Sequence, residues 1–242
     1  MTYLVTGASR SLGLGYTRAL LAHSPSTRVV AAVRNPSTAD QLQALAAEEA
    51  NKGRVYILKL DVEDRDGCFA AAKELERSGF LAGKGLDALV NNAGVSLENQ
   101  LKPSEVTPEA LLANLSPNLF GPINCTAAFL PLLRQGRSKQ IITVSSVCGS
   151  VERFGGLTNR AAYSASKTAA NMWTRKLAVE LEPEGFTTVM FHPGYVKTDI
   201  NSGGGDITTK EAVELALKNV FHRLTPADNG SFLSYDGEVM PW

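Results

Sequence analysis

The sequence predicts an α/β fold built on a parallel sheet with helices on both faces. Short apolar runs alternate with longer amphipathic stretches, in a β-α-β-α-β-α-β rhythm over the first part of the chain. Four of those runs stop at residues suited to ligand binding, namely Gly7, Arg34, Asp61 and Asn91. Sheets of this kind bind ligands beyond the carboxyl ends of their strands. With 242 residues, 44% of them apolar and 20% charged, the chain has material for one large core, so residues 1–242 read as a single domain.

Formal charge is zero, and no Lys/Arg run or aromatic-basic patch points to nucleic acid or an anionic membrane. No apolar run reaches the roughly 18 residues of a membrane span. The chain begins directly in a strand-like segment, which leaves no room for a signal peptide. Cys68, Cys125 and Cys148 lie far apart, without metal or redox spacing, which suits a reducing, cytoplasmic setting. His23, His192 and His222 form no ligand cluster and read as structural or exposed.

The first strand, Tyr3 to Thr6, ends in Gly7, Ala8, Ser9, Arg10, Ser11, Leu12 and Gly13, and the helical pattern Tyr16 to Ala22 follows. A strand, a Gly-rich turn and a helix start are the parts of a phosphate site, because glycines let backbone approach and free N–H groups attract the anion. The second strand, Arg28 to Val33, ends at Arg34. In dinucleotide folds an acidic residue about 20 positions past the glycines binds the NAD ribose, whereas an Arg suits the 2′-phosphate of NADP. Arg34 therefore favours NADP(H), with Arg10 as a second candidate cation; two solvated arginines are the alternative.

A helix over 37–51 leads to a third strand, Val55 to Leu60, ending at Asp61-Val62. A helix over 64–77 precedes a fourth strand, Leu86 to Val90, which ends in Asn91-Asn92-Ala93-Gly94. From Thr107 to Arg134 the pattern is helical, but Pro117, Gly121 and Pro122 interrupt it. Asn118 sits at that disturbance. There a freed backbone carbonyl and an amide side chain can hold a water, or the side chain can simply cap the break. The fifth strand, Gln140 to Val144, ends at Ser145-Ser146, and no supporting His and acid make Ser146 a nucleophile. A sixth strand, Thr187 to Phe191, runs into His192-Pro193-Gly194-Tyr195-Val196-Lys197-Thr198-Asp199 and then a Gly-rich stretch, Asn201 to Gly205, that is a lid or a plain connector. A helix over 209–223 and a short strand over 230–235 complete the chain, and Trp242 reads as a packing residue.

The helix over 160–182 carries Tyr163 and Lys167, four apart and so on one face. A phenol with a reference pKa near 10 is a poor acid or base at neutral pH, and an ammonium one turn away would bring it towards the working range. A surface Tyr and a solvated Lys at the same spacing are the other reading, since the spacing alone is common.

Together and in this order, these motifs resemble the classical short-chain dehydrogenase/reductase family over nearly the whole chain, in its carbonyl-reductase and C-factor-like branch and, more weakly, the ketoreductases of fungal polyketide pathways. Thr6-Gly7 to Gly13 resembles the family's Thr-Gly-x-x-x-Gly-x-Gly turn, Asp61-Val62 its adenine-contacting pair, and Asn91 to Gly94 its Asn-Asn-Ala-Gly motif. Asn118, Ser146, Tyr163 and Lys167 match its catalytic tetrad, and Pro193, Gly194, Val196 and Thr198 the segment that holds nicotinamide and pyrophosphate. Two departures stand out: Ser11 replaces a usual Gly, and the stretch from Ser146 to Tyr163 is a few residues longer than in many members, which would reshape the substrate rim.

The resemblance implies a Rossmann domain with a seven-stranded sheet ordered 3-2-1-4-5-6-7, and a homodimer or homotetramer assembled through the helices over 107–134 and 160–182. It also implies NADPH-dependent reduction of a small ketone or aldehyde, possible work for secondary metabolism. Tyr163 would then donate the proton, Lys167 would lower its pKa and bind the ribose, Ser146 would hold the substrate oxygen, and Asn118 would hold a water linking Lys167 to solvent. Reduction of an imine or iminium with cyclisation, or a dinucleotide sensor without turnover, would use the same fold.

Overall fold

The computed structural model describes residues 1–242 except Phe154, Gly155, Leu157 and Ser202. The strands are β1 (Thr2–Thr6), β2 (Arg28–Val33), β3 (Val55–Lys59), β4 (Ala88–Asn91), β5 (Gln140–Val144), β6 (Thr187–His192) and β7 (Phe232–Ser234). They form one sheet in the order 3-2-1-4-5-6-7, and every named pairing is parallel. The order reverses between β1 and β4, so the loops after these two strands part and leave a crevice at the carboxyl edge.

Both faces are covered, as expected where parallel strands are connected by helices. Successive strand residues point to opposite faces. Tyr3, Val5, Val29, Ala31, Val90 and Val144 pack with α1 (Ser11–His23), α2 (Asp40–Ala47) and α7 (Thr209–Ala216) through Tyr16, Leu42 and Val213. Leu4, Val30, Ala32, Leu89 and Ile141 face the other layer, made of α3 (Arg65–Arg77), α5 (Gly121–Arg134) and α6 (Ala161–Leu181). Leu75, Phe129 and Leu181 fill that layer. Each such side chain stabilises by about 1.5–3 kcal/mol through burial.

Local chemistry sets the helix limits. Asp64 accepts from the Gly67 N–H at 2.9 Å and starts α3, and a Thr208/Glu211 capping box starts α7. The helix expected over 37–51 is shorter, because single 3₁₀ turns at Pro36–Thr38 and Glu49–Asn51 flank α2. Between residues 107 and 134 the prolines do not break the helix. Instead α4 (Pro108–Leu115) passes through one π-helical turn, Ser116–Phe120, into α5. There the Gly121 N–H reaches back to Ser116 O, five residues rather than four. A second π turn, Leu217–Phe221, follows α7 where a regular helix to residue 223 was expected.

Candidate active site

A cleft of about 770 Å³ follows the carboxyl edge of the sheet. At one end lies the β1–α1 turn, where Gly7, Ser9, Arg10, Ser11, Leu12 and Gly13 all line the wall. Gly7 has φ +67°, a left-handed conformation that favours glycine. A Cβ on Gly13 would lie 2.7 Å from Asn92 Nδ2, so only glycine lets this turn close on β4. The first residue of α1, Ser11, also has positive φ (47°), at the position where the family's pattern carries Gly. No side chain caps α1, which leaves its first-turn N–H groups directed to the cleft as donors for an anion. Thr6 and Asn92 fix the turn. Thr6 Oγ1 accepts from the N–H groups of Asn92 and Ala93 at 3.0 Å, and Asn92 Nδ2 donates to Thr6 O at 2.8 Å.

Arg34 lines the cleft beyond β2, followed by Asn35 and Thr38. Arg10 also lines the cleft and pairs with Asp199 at 2.9 Å across its mouth. Asp61, whose Oδ1 accepts from the Glu63 N–H, and Val62 continue the wall. Asn124 Nδ2 donates to Val62 O at 3.1 Å and holds this segment, a role with no motif to signal it. Asn91 departs from expectation. The strand alternation turns its side chain beneath α5, where it donates to Thr126 Oγ1 at 3.3 Å, so Ala93 and Gly94 line the cleft instead. Pro193, Gly194, Val196 and Thr198 close the opposite wall. Uncapped helix amides, the close packing at Gly7 and Gly13 and a cation past β2 fit a nicotinamide dinucleotide.

Ser146, Tyr163 and Lys167 meet in the middle of the cleft, brought there by β5 and α6. Tyr163 is 7% exposed, and Lys167 Nζ lies 5.8 Å from its ring centre. Lys167 Nζ also donates to Val144 O, the last carbonyl of β5, at 2.9 Å. Burial pushes the Lys167 ammonium down to about 8. The phenol behaves differently from expectation: burial, helped by the Cys148 thiol, raises it to about 12. The Ser146 hydroxyl and the Arg160 guanidinium pull the other way, and neither outweighs desolvation. Tyr163 is thus a neutral, protonated phenol at working pH.

Asn118 is buried behind this trio. Its Oδ1 accepts from the Val95 N–H, and its Nδ2 donates to Val95 O and Ser166 Oγ, each at 2.9 Å. The amide side chain is therefore committed to packing, which leaves its main-chain carbonyl for the water role. The residue four positions on, which would ordinarily donate to that carbonyl, is Pro122, which has no N–H. A Cβ on Gly94 would lie 2.7 Å from Asn118 Oδ1 and 3.5 Å from Lys167 Nζ, so glycine here leaves room for the Asn118 side chain next to Lys167.

Several residues on the substrate side escaped sequence reasoning. His192 Nδ1 accepts from the Val147 N–H at 3.2 Å, and burial drives the imidazole down to about 4, so it stays neutral. Cys148, Arg160 and Asn201 also line the cleft. The expected reshaping of the rim falls partly on Phe154, Gly155 and Leu157, outside the described residues. Near it, Ser150 Oγ donates to Pro241 O at 2.9 Å, and the Trp242 ring packs 6.0 Å from Phe232, so the terminal segment rests on its own chain.

A sequence profile of short chain dehydrogenases matches residues 1–206. An uncharacterized oxidoreductase of Schizosaccharomyces pombe is 33% identical, with 99% of this chain and 97% of that protein covered. The NADPH-bound carbonyl reductase from chicken fatty liver superposes with a TM-score of 0.91 at 33% identity, covering 100% of this chain and 98% of that one. The carbonyl reductase Sniffer of D. melanogaster gives 0.90 at 30% identity, covering 100% and 99%. With a matching sheet order, cleft and motif set, the chain belongs to the short-chain dehydrogenase family of oxidoreductases.

Proposed function

We propose that this oxidoreductase reduces a ketone or aldehyde carbonyl with NADPH, and that Tyr163 delivers the proton. One observation carries the reading: a buried, protonated phenol shares the cleft wall with Ser146 and Lys167, while Arg34 stands at the far end of the same cleft. The NADPH-bound state of the avian carbonyl reductase supports the choice of cofactor. Gly7, Ser11, Gly13, Arg34, Asp61 and Thr198 would hold the dinucleotide, whose reduced nicotinamide supplies hydride when bound.

The chain's own groups do the rest. Ser146 donates a hydrogen bond to the carbonyl oxygen, and that bond strengthens as negative charge grows there. Tyr163 keeps its proton until the oxygen becomes a stronger base than the phenolate, then transfers it. The nearby Lys167 ammonium stabilises the phenolate formed at that moment. The Asn118 carbonyl, whose partner four residues on is Pro122 with no N–H, would hold the water through which the proton is replaced.

Exposed Leu112, Phe120, Met172 and Val179 on the helices over 107–134 and 160–182 support assembly as a homodimer or homotetramer. The three free thiols support a cytoplasmic setting. Work in secondary metabolism rests on the resemblance to fungal ketoreductases alone. The test is a screen of NADPH and NADH oxidation against aromatic ketones, quinones, aldehydes and β-ketoesters. Turnover of at least one carbonyl class with NADPH preferred is expected. Tight NADPH binding without turnover of any carbonyl would move the assignment to imine reduction or to sensing.

A further inference from the structure

The reductase reading leaves one cation in the substrate half of the cleft without work. Arg160 immediately precedes α6 and lines the same cleft as Tyr163. Its backbone takes a left-handed conformation, φ 59° and ψ 28°, uncommon for a residue with a long side chain. Two loops and the first turn of α6 hold it there. Its N–H donates to Asn99 O at 3.0 Å, its carbonyl accepts from the Ser164 N–H at 2.8 Å, and one guanidinium nitrogen donates to Asn201 Oδ1 at 2.9 Å.

Among the described residues no carboxylate pairs with Arg160. The acids nearest to its partners in sequence are engaged elsewhere: Glu98 accepts from Gln100 Nε2 at 2.9 Å, and Asp199 is paired with Arg10. A guanidinium carries five N–H donors in a fixed fork matched to a carboxylate. One neutral amide contact leaves both its charge and part of that fork uncommitted. The fall that Arg160 imposes on the Tyr163 pKa places the positive charge within electrostatic reach of the reacting oxygen.

We infer that Arg160 sets substrate specificity, selecting carbonyl compounds that bear a carboxylate by pairing with that group inside the cleft it shares with Tyr163. This rests on the carbonyl-reductase reading and deepens it, from carbonyls in general to keto acids and aldehyde acids. The same residue could instead act only as a staple joining two loops to α6, and the two roles separate experimentally. A staple affects acids and esters alike, whereas an anion site discriminates between them.

The experiment measures kcat/KM with NADPH for levulinate and 4-acetylbenzoate, each against its methyl ester, in the wild type and in Arg160→Gln. For at least one pair the wild type prefers the acid by about tenfold, through KM, as expected for a charge-assisted pair. In Arg160→Gln the preference falls to within about twofold while the ester value holds. Two further measurements do not depend on turnover. The NADPH Kd, read by fluorescence quenching, is the same in both proteins. The wild-type NADPH complex binds non-reducible 4-ethylbenzoate about tenfold more tightly than methyl 4-ethylbenzoate by calorimetry. Equal affinity for that last pair, an acid preference that survives Arg160→Gln, or a joint loss on acid and ester would overturn the inference. A weakened NADPH Kd in the variant would also overturn it, because the guanidinium would then serve the cofactor. Turnover of no carbonyl in the wider panel, with the 4-ethylbenzoate preference present, would instead sink the reductase reading and leave the anion site standing.

Discussion

The two halves of the cleft are built from different materials. The half at β1, β2 and β4 works through backbone: Gly7 and Gly13 let main chain close in, the α1 amides point outward, and Thr6 and Asn92 bind main-chain atoms to main-chain atoms. The half beyond β5 and β6 works through side chains, Ser146, Arg160 and Asn201 from connecting segments and His192 and Tyr163 from the end of β6 and the start of α6, each presenting a separate chemistry. Backbone geometry tolerates few substitutions and suits a fixed ligand. Such side chains can be changed one at a time, and so they suit a ligand that differs between relatives.

The sharpest way to break this contrast is Tyr163→Phe. Loss of the proton donor should lower kcat by about 10²- to 10⁴-fold and leave the NADPH Kd within about twofold, because the backbone half is untouched. Near-normal turnover would remove Tyr163 from the chemistry. Next comes Arg34→Asp, a side chain in the backbone half. Removing a charge-assisted phosphate contact should raise the KM for NADPH by about 10- to 100-fold and change that for NADH little. An equal rise for both cofactors would show that Arg34 does not read the 2′-phosphate.

The smallest effect concerns stability. His192 is held at about 4 by burial, below the ordinary 6.5. Between those values the unfolded chain binds a proton that the folded chain refuses, so stability falls as pH drops through 6.5 towards 4. The loss tends towards about 3 kcal/mol, and His192→Gln, which keeps an acceptor for the Val147 N–H, should flatten that part of a denaturation-against-pH curve. An unchanged slope would mean that the imidazole titrates freely in the folded state.

The same division explains what could be read from residues alone. The strand–helix rhythm and the Gly-rich turn were legible because apolar runs, glycine and chain order leave a pattern, whereas the strand order came only through the family resemblance. Tyr163 and Lys167 were legible as a pair because helical spacing fixes neighbours. The direction of the phenol's shift was not, since it depends on burial by the assembled fold, which outweighs the Ser146 hydroxyl and the Arg160 guanidinium. Asn91 was misplaced because a motif does not reveal which face of β4 its side chain takes. Arg160, Asn124 and the partner of Arg10 carried no local signal, because their contacts, Asn201, Val62 and Asp199, lie 41, 62 and 189 positions away.

Pro122 gives the proposed proton route an unusual dependence. Its contribution is a missing hydrogen atom, so no replacement by another amino acid can be conservative in the sense that matters. Any other residue would bring an amide able to satisfy the Asn118 carbonyl and restore an ordinary helical turn. Such a variant could fold well, even gain stability, and still starve Lys167 of its water, so thermal robustness would be a misleading guide to competence at this position.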